Sequence, residues 1–295
     1  MFVDNNWYGQ RSILSKYCKV RDSHSFAAIQ HGMLTRSQEE LLGKRRLSLI
    51  PYLCWNRRVY EKLKSKGIKN VKIIGSPFLY LHKIINAENI AKSENGTIVF
   101  PSKSTYEKNR EVDYSLLINE TEMLTPGPYT VSIYHADLHK DLSAFKKKNW
   151  KIVSFGKRSD KKFLEKNYLE IAKNKNVICT SINTVFFYSS YLKKNIKFLL
   201  NNKDKNFVLT EDKNQDSTQI FYEREHPGIL SNKLNQDQLY QISKKELGSD
   251  YIKTPEELIK LIGLDSRSKK IISYLISHYM DIKHHLIWKK DLRND

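Results

Sequence analysis

Residues 177–200 set the tightest limit on what this chain can fold into. Val177-Ile178-Cys179 is an apolar run of strand length, and Thr180-Ser181-Ile182-Asn183-Thr184 follows as a turn of small hydroxyl and amide residues. A helical stretch comes next, and a second apolar run at residues 196–200 closes the unit. This is a strand–helix–strand module, which requires a parallel sheet covered by helices. Its polar corner falls where a strand hands over to a helix N-terminus. Hydroxyls and unpaired N–H groups would converge there beside the positive end of the helix dipole, a geometry that suits a phosphate. The same residues would equally serve as an ordinary N-cap, with Ser181 or Asn183 in that role.

The alternation extends through most of the chain. Strands are predicted at residues 2–3, 25–29, 47–53 and 71–74, with helices at 12–17 and 57–66, and Gly67 ends the second helix. A polar stretch at 87–95 closed by Gly96 marks a domain boundary. Beyond it, strands are predicted at 97–100, 129–134, 151–155, 177–180 and 196–200, separated by helices at 112–123, 138–148 and 161–173. Residues 201–219 read as a polar loop, weak strands follow, and 232–248 read as helical. Thr254, Pro255 and Glu257 form a helix start signal, with the glutamate at the capping-box position. Residues 268–290 form a basic amphipathic helix that could pack on the domains or lie on a membrane surface with Trp288 at the interface. The division is therefore 1–95, 96–267 and a terminal helix at 268–295.

At 295 residues the chain can form two domains of roughly 100–150 residues. Cys18, Cys54 and Cys179 stand apart without a CxxC pair, which points to a reducing compartment and no zinc site. His284-His285 has no ligand partner at metal spacing, so no metal and no other cofactor is expected. No secretion signal or spanning segment is read, giving a cytoplasmic expectation. The net charge of +19 is spread along the chain without a nucleic-acid-binding motif. It argues against a specific nucleic-acid partner and is compatible with peripheral contact at the anionic inner face of a membrane.

In a doubly wound sheet the ligand sits outside the carboxyl ends of the strands. Four such ends in the second half are small and polar. They carry Ser102, Lys103 and Ser104; His135 and Asp137; Gly156, Lys157 and Arg158; and Ser181, Asn183 and Thr184. Gly156 permits close backbone approach, and Lys157 and Arg158 can meet a phosphate charge. Together they make a nucleotide site. In the first half, His31 follows an apolar run and precedes Gly32, a place that displays a side chain into a cleft; a capping or structural histidine is the other reading. Asp4 lies at the end of the first strand, with Asn5, Trp7 and Tyr8 beside it for hydrogen bonding and stacking. It could act in catalysis, bind an acceptor, or cap the next helix. Ser76, after the 71–74 strand, reads as cleft-lining.

These motifs resemble those of bacterial capsule and lipopolysaccharide glycosyltransferases of the GT-B type, including sialic-, pseudaminic- and Kdo-type sugar transferases, and more distantly the CDP-glycerol phosphotransferases. The corner at 180–184 and the strand Lys194-Asn195-Ile196-Lys197-Phe198 are similar to the latter's Thr-Asp-Tyr-Ser-Ser corner and Lys-Pro-Ile-x-Phe strand, without the acidic residue. Gln30-His31-Gly32 resembles the histidine–glycine segment that faces the reaction centre. His226-Pro227, with Glu225 before it, is similar to the sialyltransferase motif that holds CMP, although its order along the chain differs.

The resemblance implies an α/β chain of two Rossmann-like lobes with an interlobe cleft. It implies a glycosyltransferase that moves a sugar from a nucleotide donor to a glycan or lipid-linked glycan acceptor. The donor it favours is a CMP-activated nonulosonic or Kdo-type acidic sugar, with His31 and Asp4 catalytic. CDP-polyol phosphotransfer and a non-catalytic nucleic-acid- or membrane-binding protein are the alternatives.

Overall fold

The computed structural model describes residues 6–22, 27–34, 51–85, 94–102, 111–199 and 213–263. Two parallel sheets organise them. The first contains β1 (Ala28–Ile29), β2 (Tyr52–Cys54) and β3 (Val71–Ile73) in that spatial order, with Leu53 opposite Ile29 and Lys72. The second contains β4 (Thr97–Phe100), β5 (Tyr129–Ser132), β6 (Lys151–Val153), β7 (Asn176–Cys179) and β8 (Asn195–Phe198), ordered β6-β5-β4-β7-β8. Counted within its own lobe this is 3-2-1-4-5, the doubly wound order, and the reversal of direction falls between β4 and β7. The chain is thus α/β with two Rossmann-like lobes, as expected.

Period-two alternation explains why both faces of each sheet are buried. Tyr52 and Cys54 enter an outer core with Val59 and Leu63 of helix α2 (Arg57–Ser65), while Leu53 enters the main core. In the second sheet, Val99 and Ile178 face Leu117, Ile118 and Phe145 of helices α4 (Tyr114–Leu124) and α5 (Ser143–Lys147). Ile98, Phe100, Val177 and Cys179 face the main core. That main core runs without interruption from one lobe to the other. Helix α3 (Pro77–Ile84) joins them: Phe78 stacks on Tyr188 of helix α7 (Thr184–Tyr191) with centroids 4.1 Å apart, and His82 shares a 2.8 Å hydrogen bond with Tyr168 of helix α6 (Phe163–Lys173). Burial holds His82 below the usual histidine range, which keeps this contact between neutral groups.

The end of the chain's described part returns to the first lobe. Helix α8 (Lys213–Glu225) precedes helix α9 (Gln236–Leu247), which packs on α7; helix α10 (Pro255–Ile262) then lies near helix α1 (Gln10–Tyr17). The Tyr80 hydroxyl accepts from the Lys253 N–H at 2.9 Å, and the Tyr17 hydroxyl donates to the Lys253 carbonyl. The Thr254–Glu257 capping box forms as the sequence indicates, and Gly263 closes α10. Among the described residues no helix is long and apolar enough to cross a membrane.

Two elements differ from the sequence expectation. Residues 213–225 are helical where a polar loop and weak strands were expected, because Tyr222 finds burial against Phe187 that no local pattern announces. The helix expected over 138–148 shrinks to α5, since the Asp141 carboxylate accepts from the Ser143 N–H and the helix starts late. The strand at 2–3, part of those at 25–29 and 47–53, and the helix at 268–290 lie outside the described residues.

Gly248 ends α9 at φ +71°, and a Cβ there would overlap the Trp55 carbonyl oxygen. Gly67 has a similar φ of +76° with open space around it. Gly67→Ala should therefore cost about 1 kcal/mol, the left-handed backbone penalty alone. Gly248→Ala should cost about 3 kcal/mol or more, because it also forces the end of α9 away from the Trp55 main chain. Chemical denaturation of the two variants side by side measures the difference; equal losses would mean that the Gly248–Trp55 contact is absent in solution.

Candidate functional site

Hydroxyl side chains meet at the switch point of the second sheet, the place where a doubly wound fold opens its ligand crevice. Ser102 leaves β4 and Thr180 leaves β7, and their hydroxyls lie 3.1 Å apart, both buried. Ser181 follows Thr180, and Asn183 caps α7 by accepting from the Val185 and Phe186 N–H groups at 2.8 and 3.2 Å. The N-cap alternative is thus realised at Asn183, and two amides at this helix end are already taken. The groups left for a ligand lie one step earlier. The main-chain N–H groups of Ser181, Ile182 and Asn183 donate to no carbonyl among the described residues. The Asn183 side-chain N–H₂ donates to the Ser181 hydroxyl oxygen at 3.2 Å, which leaves that oxygen's own proton to be given outward. Successive unclaimed N–H groups beside a helix N-terminus form an anion site.

The first lobe presents His31 to this corner. β1 ends at Ile29, and the Gln30 side chain fixes the path of the next residues: its carbonyl accepts from the Trp55 N–H at 3.0 Å and its amide donates to the Gly32 carbonyl at 2.9 Å. The Gln10 amide donates to the His31 carbonyl at 2.9 Å. The Met33 N–H then donates across the lobes to the Thr184 hydroxyl at 3.0 Å. His31 is half-buried, its ring 4.7 Å from the Trp7 ring and 6.3 Å from the Tyr8 ring. His31 and the Thr184 corner are therefore adjacent, joined by two residues of backbone and one hydrogen bond.

Trp7 and Tyr8 sit in a turn that also reaches the second lobe. The Tyr8 N–H donates to the Arg158 carbonyl at 2.5 Å, and the Arg158 guanidinium lies 4.3 Å over the Trp7 ring. Lys157 beside it is exposed, and Gly156 adopts φ +89°. Behind the turn, Asn6 accepts from the Ser12 N–H, and Asp22 accepts from the Ser12 hydroxyl at 2.6 Å and from Arg11 at 3.0 Å. Lys161 of the second lobe stands 3.8 Å from Asp22. Burial works to raise the Asp22 pKa, but the Ser12 hydrogen bond and the Arg11 charge outweigh it and hold the carboxyl below its usual range.

Other expected residues fall elsewhere. Ser76 is fully buried and caps α3, accepting from the Phe78 N–H while its own N–H donates to the Leu247 carbonyl, so it does not line a cleft; a hydroxyl preceding proline is what an N-cap looks like. Asp137 is buried and paired with Lys140 at 2.7 Å. His135, at the end of β5, packs edge-on against Tyr134. Glu225 is exposed and pairs with Arg224, while His226 stacks on Tyr222 at the end of α8. Asp4, Asn5, Lys103 and Ser104 lie outside the described residues. The sequence reading overlooked Gln10, and it named Gln30 and Thr180 only as members of the segments at 30–32 and 180–184 without giving either a role of its own. Among the described residues no three His, Cys, Asp or Glu side chains group as a metal would need.

No protein-family model matches this chain, and no curated protein matches it. Among solved structures, S. aureus MnaA with UDP aligns over 83% of this chain and 68% of its own at 11% identity, TM-score 0.40. A variant of S. aureus TarM with fondaparinux, alpha-GlcNAc-glycerol and UDP aligns over 90% of this chain and 53% of its own at 12% identity, TM-score 0.35. This chain thus spans about half the length of TarM. Methanocaldococcus jannaschii UDP-GlcNAc 2-epimerase with UDP-GlcNAc and UDP aligns over 94% and 80% at 13% identity, TM-score 0.33. At these scores the two-lobe architecture rests on the strand order and crossovers described above.

The depressed Asp22 carboxyl contributes stability that is present above the ordinary carboxylate range near pH 4 and is lost as the pH falls through its folded-state value. Asp22→Asn should melt lower than the parent at neutral pH, and the gap should close in acid. Melting curves from pH 7 down to 3 check this; a gap that stays constant would show that the charge of Asp22 is irrelevant.

Proposed function

We propose that this chain is a nucleotide-sugar-dependent glycosyltransferase whose donor occupies the switch crevice and whose acceptor approaches from the first lobe. One observation carries the reading: unclaimed N–H groups at the doubly wound switch point of one lobe stand next to a histidine at a strand end of the other. The first feature binds an anion, and the second can move a proton.

In this reading the donor phosphate lies against the N–H groups of Ser181, Ile182 and Asn183 and the Ser181 hydroxyl, with Lys157 and Arg158 supplying positive charge. His31 takes the proton of an acceptor hydroxyl. The acceptor oxygen then bonds to the anomeric carbon, the bond from that carbon to the donor phosphate oxygen breaks, and the nucleotide leaves with the electron pair, its charge stabilised by the crevice. Asp4, beyond the described residues, is the other candidate base. The finer assignment is a CMP-activated nonulosonic or Kdo-type sugar. It is supported by the motif resemblance at 30–32 and 180–198 and by the pairing of Lys157 with Arg158, which suits a donor bearing both phosphate and carboxylate. A glycan or lipid-linked glycan acceptor fits the same resemblance, and the charge of +19 favours peripheral contact with an anionic membrane.

Thermal shift against CMP-, CDP-, UDP- and GDP-linked sugars identifies the donor, since a ligand at a hundred times its Kd stabilises by about 2.7 kcal/mol. Ser181→Ala should weaken the bound donor at least about tenfold, the loss of one hydrogen bond to a charged group. Asn183→Ala is a poor test, because it also removes the α7 cap, at about 1 kcal/mol. Unchanged donor affinity in folded Ser181→Ala would reject the crevice.

His31→Ala should reduce turnover by about 10²–10⁴-fold while donor affinity is nearly preserved. Steady-state kinetics with the identified donor reads both quantities. Near-normal turnover would move the proton transfer to Asp4, for which Asp4→Asn should then be the more damaging change.

A further inference from the structure

The Trp7–Gly9 turn of the first lobe is docked along the loop that joins β6 to α6 in the second. Its contacts are consecutive: the Trp7 ring lies under the Arg158 guanidinium at 4.3 Å, the Tyr8 N–H donates to the Arg158 carbonyl, and the Tyr8 ring meets Phe163 edge-on at 4.8 Å. Gly9, at φ +72°, abuts the Lys161 carbonyl so closely that a Cβ would overlap it. Tyr8 itself is held at φ +59°, an unusual conformation for a residue with a side chain, which the surrounding contacts must maintain. Main chain and side chain of Arg158 are thus both gripped by the opposite lobe.

Stacking engages only the face of a guanidinium. Its N–H donors lie in the plane and point outward past the ring edge, so an arginine held over an indole keeps the fork geometry that matches a carboxylate or phosphate. The Trp7 ring also borders the His31 ring at 4.7 Å. We propose that Trp7 is a positioning residue for Arg158, holding the guanidinium so that the two lobes jointly present one oriented cation beside His31 to an anionic group of the substrate. This assigns Trp7 to recognition of the anion; the ring face beneath Arg158 is not a platform for an acceptor sugar. The proposal rests on the donor reading above only for the name of the molecule that carries the anion, which is either a phosphate or a sugar carboxylate. Lysine at 158 would keep the charge and lose both the plane and the fork.

The test uses the full chain and its Trp7→Phe, Trp7→Leu, Arg158→Lys and doubly substituted Trp7→Leu/Arg158→Lys forms. Each is titrated with pyrophosphate, N-acetylneuraminate and the nucleotide sugars by calorimetry, with tryptophan emission followed in parallel. The parent should bind at least one probe with a change in emission that Trp7→Phe abolishes while keeping affinity within about threefold, because the stacking face survives. Trp7→Leu and Arg158→Lys should each weaken that probe about tenfold, and the double form should be no weaker than the worse single form, as for two residues acting as one unit. A response to pyrophosphate assigns Arg158 to phosphate, and a response to N-acetylneuraminate assigns it to carboxylate. Binding of either through this pair without binding of any nucleotide sugar would sustain the positioning role and overturn the donor reading. Additive losses, unchanged affinity in Trp7→Leu, or a parent that binds none of the probes would overturn the proposal.

Discussion

The packing of α3 between the lobes is the contact on which the rest of the molecule depends. Phe78 lies flat against Tyr188, and beside it the aromatic rings of Tyr168, Tyr191 and His82 complete a buried seam shared by α3, α6 and α7. Aromatic pairs of this kind add about 0.5–1.5 kcal/mol each beyond the area they bury. Their larger consequence is geometric. Tyr188 belongs to the helix whose first residue, Thr184, receives the Met33 N–H. A rotation of one lobe against the other would break the seam and separate His31 from the crevice at once.

A second set of polar contacts holds the same arrangement from the far side. Glu246 of α9 accepts from Arg58 at 3.0 Å and from the Asn56 amide, and the Asn56 side chain also caps α2. Tyr222, buried next to this group, donates to the Met33 sulfur at 3.5 Å, so the segment carrying His31 is braced from both directions. Burial raises the Tyr222 hydroxyl well above its usual range, so it remains a neutral donor. Arg58 and Glu246 are both partly exposed, and desolvation offsets much of the attraction in such a pair, so it adds little net stability. Their effect here is to fix a single relative placement of α2, α8 and α9.

Much of the fold was legible because parallel sheets impose a strong local signature. Short apolar runs such as 97–100 and 176–179, each followed by small polar residues, are found as strands within one or two residues of the expected bounds. Helix ends were equally readable where a cap is chemically distinct, as at Thr254-Pro255. The helix at 213–225 was not, since its apolar side is little more than Tyr222 and Phe221 and its stability comes from partners far away in sequence. The candidate site was addressed in the same way. Position after a strand selected His31, Ser102, Arg158 and Ser181 as candidates, whereas Ser76 shares that position and is a buried cap.

The sequence by itself determined the parallel α/β class, the strand-end addresses of its polar residues and the N-terminal caps of several helices, because each depends on a few consecutive side chains. The tertiary structure decided which addresses meet. That Met33 reaches Thr184, that Trp7 lies beneath Arg158, and that Gly248 touches Trp55 follow from how two sheets share one apolar core. These three contacts each join residues more than 150 positions apart. No local pattern encodes them, because the free energy that fixes them is the burial of surfaces that become neighbours only after both lobes have formed.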